Sequence, residues 1–578
     1  MLSNAIVAAM LATCYVLIVL LHLNPRLPID PLRFLPIAQS VGLFYVVHLS
    51  VVFYALMVAR QLLARELFSP AWLGIGVLSW LGALSAAAGS ALMWANLSTF
   101  SLVLAPETVS AMTQGALALA VSSALFLLVA YGRWSGDPSQ RTLWAVCLAV
   151  VAAVSVATPL VFRGASVEST LEARPIEAVL DMPPPERAAR VEMLAIDGAS
   201  LDFIARATAE GRLPNFGRIV DAGAVMRLAT LHPTSAEAVW SAVATGKLPQ
   251  KNGVRSAAVY RPAAGEDPIT LLPDFCYSSG LLRFGILAEE PLSSGALRAR
   301  PLWSILTLLG VRVGVVNWPL TYPAPIVRGH VVSDRYLLPS VSLAGVADPA
   351  VVYPPELLAD LTPVSQGSWT DLPAIVPVGT TTMMPERHQL PGRADRMYEQ
   401  VARWLGSAQP TQVTIARYES IDPIGHYFLS YAMPQEFGNV SEDDRRRFGQ
   451  ILESHYGFID EMIGRALGSL GPDDVLLIVS GYGMEPLGFG KRALEQLLGD
   501  PDVSGTHEGA PDGFLMAYGA PVAKVQARRA SIVDVVPTVL YFLGLPIGRD
   551  MDGYARTDIF QPAFTEEHPI TFIPTYER

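Results

Sequence analysis

Charge is scarce in this chain, and cysteine scarcer. Only 16% of the 578 residues are Asp, Glu, Lys or Arg, against about a quarter in soluble globular proteins. Apolar types make up 51%, which excludes a disordered chain. Three cysteines cannot staple a disulfide-rich secreted scaffold, and neither a C-x-x-C pair nor a Cys/His finger is present. Any metal chemistry must therefore use Asp, Glu and His. Basic residues are also in deficit: 41 Lys and Arg against 52 Asp and Glu give a net charge of −11. That argues against a nucleic-acid binder, which depends on neutralising phosphates.

The hydrophobicity is concentrated at the start. Residues 1–162 hold five apolar runs, near 4–23, 36–59, 71–95, 110–131 and 142–162, each close to the ~20 residues that cross a hydrocarbon core. The first run lacks a basic leader and a small-residue cleavage site, and four more follow it, so it reads as a retained helix. An all-α transmembrane bundle in a lipid bilayer is expected over 1–162. The loops after the second and fourth runs carry Arg60, Arg65, Arg133 and Arg141, and those after the first and third only Arg26 and Arg33. Positive residues stay inside, so an odd number of spans puts everything after Phe162 outside the cytoplasm. His22 and His48, in or beside the apolar runs, read as packing groups of the bundle. Residues 163–190 turn polar and Pro-rich, as a tether does, and lead into a soluble domain over 191–578.

That domain alternates short apolar runs with amphipathic ones. Val191–Ile196, Val313–Trp318, Gln412–Ala416, Val475–Val479 and Gly513–Tyr518 read as parallel strands, with helices expected at Asp202–Glu210, Leu302–Leu309, Arg393–Leu405 and Glu442–Leu470. Ligands of such sheets bind beyond the carboxyl ends of the strands. Those ends carry Asp197-Gly198, Asp422-Pro423-Ile424-Gly425-His426 and Gly481-Tyr482-Gly483. A helix start at Pro233-Thr234-Ser235-Ala236-Glu237 and a loop at Thr506-His507-Glu508 complete the set.

The order of these motifs resembles the alkaline phosphatase superfamily, in particular its type I phosphodiesterase/nucleotide pyrophosphatase branch, over nearly all of 191–560. The resemblance implies an α/β fold, a mostly parallel sheet flanked by helices, appended here to the helical bundle. It also implies metal-dependent chemistry on phosphate or sulfate esters, with two divalent ions, usually zinc, and a Ser or Thr nucleophile at a helix N-terminus.

Matched residue by residue, one half-site is complete. Asp422, His426 and His507 stand where the family binds its first ion, and two His with one carboxylate leave a fourth position open. The other half-site is degenerate. Asp197 survives, but Gly481-Tyr482 replaces an Asp-His pair, and Ala236 stands at the nucleophile position. Expected from this are one divalent ion, zinc by its ligands, and loss of the two-metal mechanism. Thr234 and Ser235 are the candidate catalytic substitutes in a shifted register, against a plainer role as helix caps. Glu237 is either a base or a first-turn acid, and Tyr482 either a nucleophile with a lowered pKa or a filler of vacated metal space. Pro273–Glu290 and Val364–His388 look like pocket-shaping insertions. Three functions stay open: a one-metal ester hydrolase, a non-catalytic pseudoenzyme that binds a ligand or partner, and a structural membrane scaffold.

Overall fold

The protein is described from a computed structural model that covers residues 1–64, 73–135, 140–164, 189–262, 267–337, 342–343, 346–364, 372, 375, 385–437, 440–498, 500 and 502–578. The tether expected at 163–190 therefore lies almost wholly outside the described residues, as does most of Val364–His388. The chain packs into two compact units, residues 1–170 with 255–291, and residues 171–254 with 292–578.

The first unit is built on five apolar helices long enough to cross a membrane: α1 Leu2–Leu23, α2 Pro31–Ala64, α3 Ile75–Phe100, α4 Pro106–Ser135 and α5 Arg141–Arg163. With no internal requirement for water, their outward faces carry exposed Leu43, Val51, Leu62, Leu128 and Val161, as lipid-facing helices do. Tyr15, Met93, Leu119 and Phe126 pack inward. His22 and His48 each hydrogen-bond through Nδ1 to the carbonyl one turn back, Ile18 at 2.8 Å and Phe44 at 2.7 Å. At the end of α5 the Arg163 guanidinium donates to the carbonyl of Leu21, in the last turn of α1, and to those of Asn24 and Leu27 just beyond it.

The single soluble block expected over 191–578 is interrupted, because 255–291 folds with these helices. The segment has its own hairpin, Ala258–Pro262 against Leu287–Pro291. Its apolar side chains Ile269, Leu281 and Leu287 are buried with Leu20 and Tyr45, and Leu271 with Leu23 and Leu97. Asn24, just past α1, accepts from the Thr270 and Leu271 N–H groups at 2.9 and 3.0 Å and donates to the Leu271 carbonyl at 2.7 Å. Asn96 makes a reciprocal pair with the Asp274 backbone. Pro273–Glu290 thus packs among helices of the first unit. Cys276 is half-buried beside Tyr45, and burial raises its thiol pKa. It is not a reactive thiolate.

The second unit is a ten-stranded sheet flanked by helices. Its order is Val525–Gln526, Ala224–Ala229, Asp512–Tyr518, Val475–Tyr482, Val191–Ile196, Val413–Tyr418, Val313–Val316, Gly329–Val332 and Val352–Tyr353, with Ala530–Ser531 also on Ala224–Ala229. The five strands from Val475 to Gly329 in this order run parallel. Both faces are covered, which is why these runs are continuously apolar. Ala195, Ile415, Leu477 and Val479 lie in one core layer, and Leu194, Ile196, Ala416 and Ile478 in the other. One expectation needs correction: Asp512–Tyr518 is antiparallel to Val475–Tyr482 and to Ala224–Ala229. Its chain enters from the same end at which Val475–Tyr482 leaves. Helices at Leu201–Ala209, Leu302–Leu308, Pro385–Ala408 and Glu442–Ser469 match the four expected, the third starting earlier.

Candidate metal centre

Three neighbouring parallel strands deliver the site at their carboxyl ends. Asp197 directly follows Val191–Ile196, and its N–H is held by the Tyr418 carbonyl at 3.0 Å. Gly198 then turns with φ 65°. A Cβ there would sit 2.9 Å from the Asp422 Cα and Oδ1, so glycine is what lets the Asp197 turn approach the first turn of the helix Ile421–Ala432. Asp422 and His426 lie on that helix, four apart and on one face.

His507 comes from the loop after Gly505–Thr506, which is pinned to Glu485–Pro486. One ligand atom from each of Asp422, His426 and His507 lies within 4.8 Å of the others. His426 Nε2 is 3.8 Å from Asp422 Oδ2, and His507 Nε2 is 3.7 Å from Asp422 Oδ1. A carbonyl cannot donate, so the 2.9 Å contact of His426 Nδ1 with the Gly505 oxygen fixes the proton on Nδ1. That leaves the Nε2 lone pair facing the carboxylate, the usual arrangement behind a metal-bound histidine. Asp422 Oδ1 and His507 Nδ1 are buried without a hydrogen-bond partner among the described residues, and a buried polar atom normally has one. Burial raises the Asp422 pKa, and the two imidazoles oppose the shift. This donor set fits one divalent cation of the zinc class, with an open coordination position. The side chains are 18–29% exposed, enough for a water or a ligand oxygen to reach it.

The other half does not fit a cation. Asp197, 2% exposed, is gripped by Arg417: Nε to Oδ1 at 3.0 Å and Nη2 to Oδ2 at 2.5 Å. The third guanidinium nitrogen is 3.1 Å from Glu419 Oε2 and 3.4 Å from the Asn317 carbonyl. Asn317 adopts φ 57°, a left-handed conformation that asparagine tolerates. Its side chain also holds the Arg417 carbonyl, at 3.1 Å. Burial alone would lower the Arg417 pKa, but the Asp197 and Glu419 carboxylates drive it well above the ordinary value. Arg417 is a permanent cation.

Beyond it, Gly481 and Tyr482 are still in the strand, Tyr482 paired with Asp512. A Cβ at 481 would overlap the Val239 Cγ1 methyl, so this position has no room for a ligand side chain. Tyr482 is fully buried, and its ring lies 5.0 Å from that of His507. Burial first, and the Asp197 and Asp422 carboxylates next, push its pKa well up, outweighing Arg417. The lowered pKa that a tyrosine nucleophile requires is absent.

The helix Ala236–Thr245 begins with the methyl group of Ala236. Ser235 occupies the N-cap position, yet its hydroxyl caps no backbone N–H. It hydrogen-bonds Glu237 Oε2 at 3.1 Å. Thr234, 5% exposed, donates to the Leu231 carbonyl at 2.8 Å, so it is neither a cap nor a free nucleophile. The structure therefore assembles Asp422, His426 and His507, brings Asp197 beside them in a different pairing, and leaves Ser235 as the unabsorbed hydroxyl.

Arg417 is the residue the sequence reading missed. The signal was available: a lone guanidinium in the apolar run Val413–Tyr418 of a central strand must find a carboxylate, since a buried unpaired charge is prohibitively costly.

With the fold and site in hand, the class is plain. The chain belongs to the type I phosphodiesterase / nucleotide pyrophosphatase family, whose sequence profile matches residues 191–539. Among solved structures, it is similar to murine and human ectonucleotide pyrophosphatase/phosphodiesterase 5, at 12% and 13% identity. Each covers 64% of this chain and 100% of its own, with a TM-score of 0.37. A mutant of the alkaline phosphatase PafA is similar at 13% identity, over 66% of this chain and 100% of its own, with a TM-score of 0.39. No curated protein matches significantly.

Proposed function

We propose that this protein is a membrane-anchored phosphodiesterase-family pseudoenzyme that binds an ester phosphate or sulfate at a single divalent cation and does not run the family's two-metal displacement. The bidentate Asp197–Arg417 pair carries this reading, because it removes from cation binding the one surviving ligand of the second position. Ala236 agrees with it: a methyl group cannot attack phosphorus. The division of labour proposed is a membrane part in 1–162 joined by 255–291, a tether at 163–190 and the family domain in the remaining residues beyond. The arginine bias places that domain outside the cytoplasm.

Zinc is the cation that two imidazoles and a carboxylate favour. When bound, it supplies a Lewis-acid position for one ligand oxygen. The chain's own residues do the rest. His426 is oriented by the Gly505 carbonyl, Asp422 is positioned by the first turn of its helix, and the Tyr482 ring backs His507. The backbone N–H groups opening the helix Ala236–Thr245 present a positive pole suited to an anion.

The test uses the full chain in detergent micelles: zinc per chain, thermal shift with phenyl phosphate, and turnover of aryl phosphate mono- and diesters. One ion, a ligand-dependent shift and no turnover are expected. Turnover lost on Asp422→Ala would overturn the pseudoenzyme reading.

A second reading is favoured by one observation, the Ser235 hydroxyl hydrogen-bonded to Glu237. In it, the Ser235 oxygen attacks phosphorus as its proton passes to Glu237, and the bond from phosphorus to the ester oxygen breaks. Glu237 returns the proton to that oxygen so that the alcohol departs, and water then hydrolyses the seryl ester. Turnover abolished by Ser235→Ala and retained by Tyr482→Phe would select this reading.

A further inference from the structure

The degenerate half-site has not simply lost a cation. Asp197 and Glu419 converge on one guanidinium, and the Gly198 turn that follows Asp197 lies against Asp422. Carboxylates gathered in a partly buried space need a positive charge beside them. In this chain the positive charge is covalent. Arg417 reaches Asp197 through two nitrogens and Glu419 through the third. All three guanidinium nitrogens are thereby engaged, the third also facing the Asn317 carbonyl. The guanidinium is held from the strand Val413–Tyr418, which precedes the helix Ile421–Ala432 that carries Asp422.

From this geometry we infer that Arg417 is a resident replacement for the second cation: its guanidinium neutralises Asp197, the surviving ligand of the second position, together with Glu419, so that one divalent ion is the complete complement of this site. The inference rests on the one-cation reading above and deepens it, because it states why the second position stays closed. Chemistry also separates it from an ordinary core ion pair. A plain Asp–Arg pair involves two residues and would be indifferent to divalent cations. A replacement cation serves several carboxylates, and removing it should open a position that a metal ion can take.

The experiment measures zinc per chain and zinc-dependent melting of the full-length protein in detergent micelles. The comparison includes wild type, Arg417→Met, Asp197→Asn and the double variant. Wild type should saturate at one zinc. Arg417→Met should melt lower without zinc, recover as zinc is added, and bind a second ion. The double variant should return to one ion, because the vacated space then lacks the Asp197 carboxylate.

If Arg417→Met still binds a single ion and its loss of melting temperature is the same at every zinc concentration, the pair is an ordinary one and the inference falls. Should the variant accumulate poorly, the yield of folded protein at graded zinc is the readout. A yield that rises with zinc supports the replacement, and a flat yield overturns it. Failure of the underlying reading looks different. It would appear in the wild type itself, as zero ions or two.

Discussion

The space where Gly481 lacks a Cβ is filled by a methyl group, and this can be measured. Gly481 ends a central strand with its missing Cβ aimed at Val239 Cγ1, and Val239 is fully buried. An added methyl would come closer than carbon–carbon contact by roughly 1 Å. Overpacking of this kind costs about 1–3 kcal/mol, so Gly481→Ala should lower the melting temperature by roughly 2–8 °C.

Val239→Ala alone removes two buried carbons at about 0.8 kcal/mol each, plus a cavity cost. Combined, the new methyl occupies part of the space the valine vacates. The double variant should therefore be more stable than the sum of the two single losses, by about 1 kcal/mol or more. Gly481→Asp should be worse than Gly481→Ala, since it forces a larger, charged group against the buried Val239 and Trp240. The assay is thermal unfolding of the full-length protein in micelles, all variants at one zinc concentration. Strictly additive losses, or a Gly481→Ala protein that melts with wild type, would refute the claim that Val239 closes this position.

Other outcomes follow from the same physics. Asp422→Ala should abolish zinc binding and the zinc-dependent rise in melting temperature, read by metal analysis and by melting; a retained ion would refute the ligand assignment. Burial lowers the His330 pKa from 6.5 to about 4, so across that interval the unfolded chain binds a proton the folded chain refuses. Stability present above pH 6.5 should be lost as pH falls, by up to about 3 kcal/mol near pH 4. His330→Leu should flatten this limb in pH-dependent unfolding, and an unchanged slope would contradict it. Asn24→Ala strips the acceptor from two backbone N–H groups, and hydrogen exchange at Thr270 and Leu271 should quicken by roughly tenfold. Unchanged protection at those amides would show that Asn24 does not anchor the segment.

How much of this was legible beforehand depended on whether the information was local. The five apolar helices and four of the five parallel strands are apolar runs with polar punctuation, and their rough bounds could be read, whereas the short parallel strand Gly329–Val332 was missed. The Asp422/His426 spacing is local too, within one helix turn. The direction of Asp512–Tyr518 was not legible, because an apolar run carries no sign of which way it enters a sheet. The Asp197–Arg417 pair joins positions 220 residues apart, so the sequence could announce that Arg417 needed a partner without naming it. Ser235 was legible as an N-cap position, yet the preference of its hydroxyl for Glu237 is a matter of rotamers. Within 255–291, Pro273–Glu290 read as a pocket-shaping insertion because the apolar positions there are spaced for contacts with distant helices, not for any repeat of their own.

That segment has a consequence for release from the membrane. The polypeptide passes between its two compact units near residue 170, at 254–255 and again at 291–292. A protease that nicks the Pro-rich stretch after α5 therefore severs one of three crossings. The downstream fragment still carries 255–291, which Asn24, Tyr45 and Asn96 hold among the helices. Release by a single cut should therefore leave the sheet-bearing fragment attached to the apolar helices.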